Sequence, residues 1–122
     1  MLKEDYIMRT ISNKIKFLAK ILLGKENVDF EISEINSNDR SDELHNILVS
    51  LIKENKINEA ENMLFNEFDP LDKRSVGVAI DFYNRINKLD DEILDKNDFS
   101  RKEIKEGLDD ISKILGMDTY DL

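Results

Sequence analysis

The stretch LHNILVSLIKENKINEAENMLFNEF, residues 44–68, decides the fold class. Its first half places Leu44, Ile47, Leu48, Leu51 and Ile52 at helical spacing on one face, and its second half does the same with Ala60, Met63, Leu64 and Phe68. Between them stand only Asn55 and Lys56, and asparagine tolerates the left-handed backbone that ends a helix. A connection this short forces the two helices antiparallel. The spacing therefore predicts a helical hairpin, with one helix from about Ser41 to Asn55 and the next from about Ile57 to Phe68.

Upstream, the chain predicts an amphipathic helix from about Lys3 to Leu23. Steps of about 100° put Ile7, Ile11, Ile15, Leu18 and Leu22 on one arc, and Arg9, Lys16 and Lys20 on the opposite face. Gly24 is a natural stop. Residues 26–40 are polar, with Phe30, Ile32 and Ile35 as candidate anchors, and read as a linker.

Downstream, Asp69 as cap and Pro70 at the first helical position predict a fourth helix reaching about Lys88. It offers Val76, Ala79, Ile80, Phe82, Tyr83 and Ile86 to the core. Gly77 inside it suggests a neighbour packed close. Ser100 and Glu103 form a capping box, with Phe99 and Ile104 placed as a hydrophobic staple. The helix they open carries Ile104, Leu108, Ile111 and Leu115 inward and stops at Gly116. The expected fold is all-α, about five helices, built from antiparallel hairpins of tetratricopeptide-like or bundle type. One globular domain is expected overall: the amphipathic basic helix at 1–25, the linker at 26–40 and the helical-hairpin region at 41–122.

Charge is distributed unevenly. The first 25 residues hold six basic and two acidic side chains, while the remaining 97 carry a net −13, for a total of −9. Such a balance repels polyphosphate, so no nucleic-acid partner is expected. The absence of cysteine removes disulfides, thiolate nucleophiles and sulfur-ligated zinc from consideration. No apolar run approaches the length that crosses a bilayer, and Phe17 to Leu23 is broken by Lys20, so a cytoplasmic protein is expected. Thirteen Lys against five Arg, fifteen Ile and twelve Asn fit an AT-rich coding sequence and point to a low-GC bacterium.

Candidate chemistry is sparse. His45 is the one imidazole, and with no second His and no Cys it reads as a boundary histidine in an ordinary hydrogen bond rather than a metal ligand. Asp95, Asn97 and Glu106 fall at the first, third and twelfth positions of an EF-hand-like loop. Phe99 stands where an oxygen ligand belongs, however, and Ser100 replaces the turning glycine, so Asp90–Asp98 reads as a solvated acidic linker. Asp109 and Asp110 are neighbours on a helix and point apart. No phosphate loop or nucleophile elbow occurs, and neither catalytic residues nor a cofactor is expected.

Residues 44–68 resemble one hairpin of a tetratricopeptide-type repeat, through the Asn55 turn and the small Ala60 early in the second helix; no second copy follows at that period. Nearly the whole chain is similar to a family of short Firmicutes proteins of unknown function. That resemblance rests on Lys3, Asp5, Tyr6, Met8 and Arg9, on Phe17 through Gly24, on the hairpin, and on Phe99, Ser100, Glu103, Ile104, Gly107 and Leu108. It implies no activity, substrate or partner.

The expected role is a non-catalytic protein-interaction or scaffolding module. Ile7, Ile11, Ile15, Leu18 and Leu22 are the candidate interface, either with a protein partner or with a second copy as a homodimer. The alternative is a peripheral membrane protein in which Arg9, Lys16 and Lys20 contact anionic headgroups. A small carboxylate enzyme is a further, less favoured reading. The first helix could dock on its own body, on a sister chain or on a membrane, and the sequence leaves all three open.

Overall fold

A computed structural model describes residues 2–24, 30 and 39–117. Every regular element among them is helical: α1 (Leu2–Leu18), α2 (Arg40–Lys53), α3 (Ile57–Glu67), α4 (Lys73–Asn87), α5 (Asp91–Lys96) and α6 (Arg101–Ile114). The end of α1 widens into a π-helical turn, Ala19–Leu23, which Gly24 closes at φ 65°. The fold is all-α, as the hydrophobic spacing predicts. The candidate anchors Ile32 and Ile35 lie outside the described residues.

Local chemistry explains most boundaries. Ser100 accepts from the Glu103 amide at 3.1 Å while Glu103 accepts from the Ser100 amide at 2.7 Å, so the capping box forms as read. Asn55 takes φ 60° and turns α2 into α3. Two starts differ from expectation. The α2 cap is Asp39, whose carboxylate accepts from the amides of Ser41 and Asp42, rather than Ser41 itself. The α4 cap is Asp72, not Asp69: residues 69–72 form a turn closed by the Asp72 amide on the Asp69 carbonyl, with Leu71 exposed.

The acidic stretch after α4 is the larger correction, because it is helix and not linker. Asp90 caps α5 by accepting from the Ile93 amide at 3.0 Å, and Leu94 and Phe99 are buried. Asn97, read above as an EF-hand position, ends α5 and starts α3 instead. Its side-chain oxygen accepts from the Ile57 amide at 3.0 Å, and its carbonyl accepts from the Asn58 side chain at 2.9 Å. One side chain thus satisfies an otherwise orphaned donor at a helix start that has no cap of its own.

α4 is the centre. It packs against α1, α2 and α6, and its run from Ser75 to Asn84 is buried on every side. α2 pairs with α3 on one flank, and α1 pairs with α6 on the other. Ile11, Ile15, Leu18 and Ala19 from α1 join Leu48, Leu64, Ile80, Phe82, Tyr83, Ile104 and Leu108 in one core. Each such aliphatic or aromatic side chain stabilises the fold by about 1.5–3 kcal/mol on full burial. The tight glycine is Gly107 of α6 and not Gly77: a Cβ at Gly107 would sit 2.4 Å from the Tyr83 hydroxyl, whereas at Gly77 the nearest described atom is Phe30 Cδ1 at 3.5 Å.

Candidate interaction surface

The arc of α1 named as a candidate interface faces inward. Ile11, Ile15 and Leu18 are sealed in the chain's own core, and Ile7 and Leu22 are partly buried beside it. These side chains are satisfied in cis. Lys14 reinforces the docking through an ion pair with Asp109 of α6, which also receives Lys105 at 3.1 Å. Burial alone would raise the Asp109 carboxyl, but the two lysines hold it below the ordinary aspartate range.

The opposite face of α1 is the feature that spacing alone left unassigned. Tyr6 is 66% exposed, Phe17 41% and Ile21 58%, three of the large apolar side chains that the fold leaves open. On the 100° wheel Tyr6, Asn13 and Phe17 share one arc, the exposed Arg9 and Lys16 run along its edge, and the π-helical turn carries the exposed Lys20 and Ile21 beyond it. Aromatic and aliphatic groups interleaved with cations thus cover the outside of α1, on a chain whose other 97 residues are strongly acidic. Amphipathicity counted from the core side makes this face look merely polar; its signal is Tyr6, Phe17 and Ile21 lying off the buried arc.

The interior holds a second polar assembly. His45 of α2 is buried, and its Nδ1 lies 3.4 Å from Oδ2 of Asp81, a carboxylate only 1% exposed in mid-α4. Asp81 also accepts from Arg85 Nε at 2.6 Å and from the Phe30 amide at 3.0 Å. Burial pushes the Asp81 carboxyl up, yet His45, the Phe30 amide and Arg85 together bring it below its usual value. The Phe30 ring lies 4.9 Å from the His45 ring and 4.8 Å from the Arg74 guanidinium, while Arg74 pairs with Asp42 and Asp39. His45 is therefore more than a boundary residue. It belongs to a polar knot that holds Phe30 onto α4. A polar residue amid the run Val76–Tyr83, buried all round, was the available signal for Asp81.

Two further buried contacts join elements. Tyr83 donates to Glu61 of α3 at 2.8 Å. Burial, with Glu103, Asp110 and Glu106 nearby, raises the Glu61 carboxyl despite that bond, and the Tyr83 phenol is raised as well. Arg101 reaches from the start of α6 to the carbonyls of Asn87 at 2.7 Å and Leu89 at 2.8 Å and to Asp91 at 3.1 Å, tying α4, α5 and α6. Asn87 in turn donates to the Met8 carbonyl of α1 at 3.0 Å.

Open cavities lie away from the polar knot's His45 and Asp81. One of about 410 Å³ is bounded by Arg40, Glu43, Leu44, Ile47, Met63 and Glu67, and one of about 430 Å³ by Val49, Ile52, Lys53, Arg85, Lys88 and Leu89. Among the described residues, no group of three or more His, Cys, Asp or Glu side chains is arranged to hold a metal ion, and no helix is long and apolar enough to cross a membrane. A family model described as a family of unknown function, DUF6483, matches residues 1–116, and the chain belongs to that family. No curated protein and no solved structure matches it.

Proposed function

We propose that this member of a family without an assigned activity is a non-catalytic, cytoplasmic protein-interaction module that binds an acidic protein surface through the outward face of α1. The observation that carries the reading is the coincidence, on one exposed helix face, of Tyr6, Phe17 and Ile21 with Arg9, Lys16 and Lys20. Aromatic side chains and arginine are enriched in binding hot spots, where they supply affinity, while lysines at the rim supply register and encounter rate. The inward arc cannot serve, since the core already uses it.

A protein surface suits this face better than a lipid one. Three cations near an anionic bilayer contribute about 1 kcal/mol each, and three partly exposed apolar groups give only marginal anchoring. The same bilayer repels a body carrying −13. A partner protein can meet the basic face with one compact acidic patch, whereas a bilayer presents an extended anionic plane to the whole body.

The test is fluorescence anisotropy of a labelled amphipathic peptide rich in Glu and Leu, titrated with the full chain. Salt-sensitive binding is expected, with Lys16→Glu/Lys20→Glu and Phe17→Ser/Ile21→Ser each weakening it about tenfold, equivalent to about 1.4 kcal/mol. Flotation with phosphatidylglycerol vesicles is the counter-test. A chain that floats with the vesicles and ignores the peptide overturns the reading.

A further inference from the structure

The first cavity described above has a character that matches the outward face of α1. It lies where the first turns of α2 meet the end of α3 and the turn before α4. Leu44, Ile47 and Met63 give it an apolar wall, and Ile47 is 44% exposed. Glu43, Glu67 and Asp72 make its rim acidic, while Arg40 is engaged with Glu67 at 3.3 Å. Its volume of about 410 Å³ falls in the range of clefts that seat a ligand. Apolar floor and acidic rim are the counterpart of the Phe17 and Ile21 side chains flanked by Lys16 and Lys20.

The two surfaces do not meet within one chain. α1 packs on α4 and α6, whereas the groove is built by α2, α3 and the start of α4, so the helix face and the groove lie on opposite flanks of α4. Complementary patches that cannot close in cis can meet only in trans, and a contact between different patches is head-to-tail. We infer that the groove between α2 and α3 is the docking site for the outward face of α1 of a second copy of this chain. The inference rests on the proposed function and names its partner.

Sedimentation velocity of the full chain tests it, with two variants at exposed sites. Phe17→Ser/Ile21→Ser disables the helix face while keeping Lys16 and Lys20, which repel a basic groove, and Glu43→Lys/Glu67→Lys disables the groove. The natural chain is expected to grow with concentration into species larger than a dimer, and salt raised from about 50 to about 500 mM is expected to weaken this at least about tenfold. Each variant alone stays monomeric with an unchanged helical circular-dichroism spectrum. An equimolar mixture of the two, which restores one intact helix face and one intact groove, forms a 1:1 dimer that grows no further. A mixture that stays monomeric, or a natural chain that is monomeric at low salt, overturns the inference. If the groove variant still associates while the helix variant does not, the groove assignment falls and the proposed function stands. If the helix variant also binds the acidic peptide as well as the natural chain does, the proposed function falls too.

Discussion

Substituting alanine at two glycines, each inside a helix, should move stability in opposite directions. In α4, Gly77→Ala adds a Cβ whose nearest described neighbours, Phe30 Cδ1 at 3.5 Å and Leu23 Cδ1 at 3.9 Å, are at ordinary contact distance. The helix then gains the backbone advantage of alanine, about 0.5–1 kcal/mol. In α6, Gly107→Ala gains the same term but drives its Cβ to 2.4 Å from Glu61 Oε2 and from the Tyr83 hydroxyl, and to 2.8 Å from Tyr83 Cε1. The Glu61 carboxylate is the end of a flexible side chain and can swing away. Tyr83 is fully buried and cannot. Relief requires α6 to move off α4 and the Tyr83–Glu61 hydrogen bond to break, which costs about 1–3 kcal/mol of overpacking and a further 1.5–3 kcal/mol for a bond to a charged group. Set against the alanine gain, the net expectation is a loss of about 1.5–5.5 kcal/mol. Urea unfolding should show an unchanged slope with a lower midpoint for Gly107→Ala and a higher one for Gly77→Ala. A Gly107→Ala chain as stable as the natural one would refute the close approach of α6 to Tyr83.

Asp81→Asn removes the carboxylate that accepts from Arg85 and the Phe30 amide and should cost about 1–3 kcal/mol in chemical denaturation. Because the folded Asp81 carboxyl sits below its ordinary value, the natural chain loses that contribution as pH falls through the acid range, and the variant should lack this part of the acid limb. Glu61→Gln acts in the other direction. A raised carboxyl makes stability decline as pH climbs from near 4.5 through the raised value, so the glutamine variant should gain on the natural chain over that climb, measured by urea midpoints. Arg101→Lys replaces a planar fork by a point donor and should lower stability by about 2 kcal/mol, with amides at the end of α4 exchanging faster. A chain lacking residues 1–25 removes Ile11, Ile15, Leu18 and Ala19 from the core and should lose cooperative thermal unfolding altogether.

What could be read from the sequence was what local chemistry determines. The hairpin of α2 and α3, the capping box of α6 and the Gly24 stop each depend on side chains within a few residues of one another. The start of α4 was ambiguous for a physical reason. Asp-Pro serves equally as cap and first helical residue or as the first two positions of a turn, since proline has the same φ in both. Ser75 decides the matter by accepting from the Asp69 amide at 2.9 Å. α5 escaped because six residues with two buried neighbours show almost no periodicity, and its value lies in Asn97 reaching the distant Ile57 amide. Asp81 showed only as a charge amid an apolar run and Arg101 not at all, since the partners that explain them, His45 and Asn87, lie 36 and 14 residues away in the chain. The outward face of α1 could be assigned only after the core had claimed the other side.

The place of α4, touched by both flanks and open to water on none of its middle turns, governs how the molecule comes apart. Its middle peptide groups are shielded while both flanks stay docked, so deuterium should enter there among the last. The two flanks share a single spine. A load applied to α1 by a bound neighbour is therefore borne by the same rod that holds the far hairpin in place.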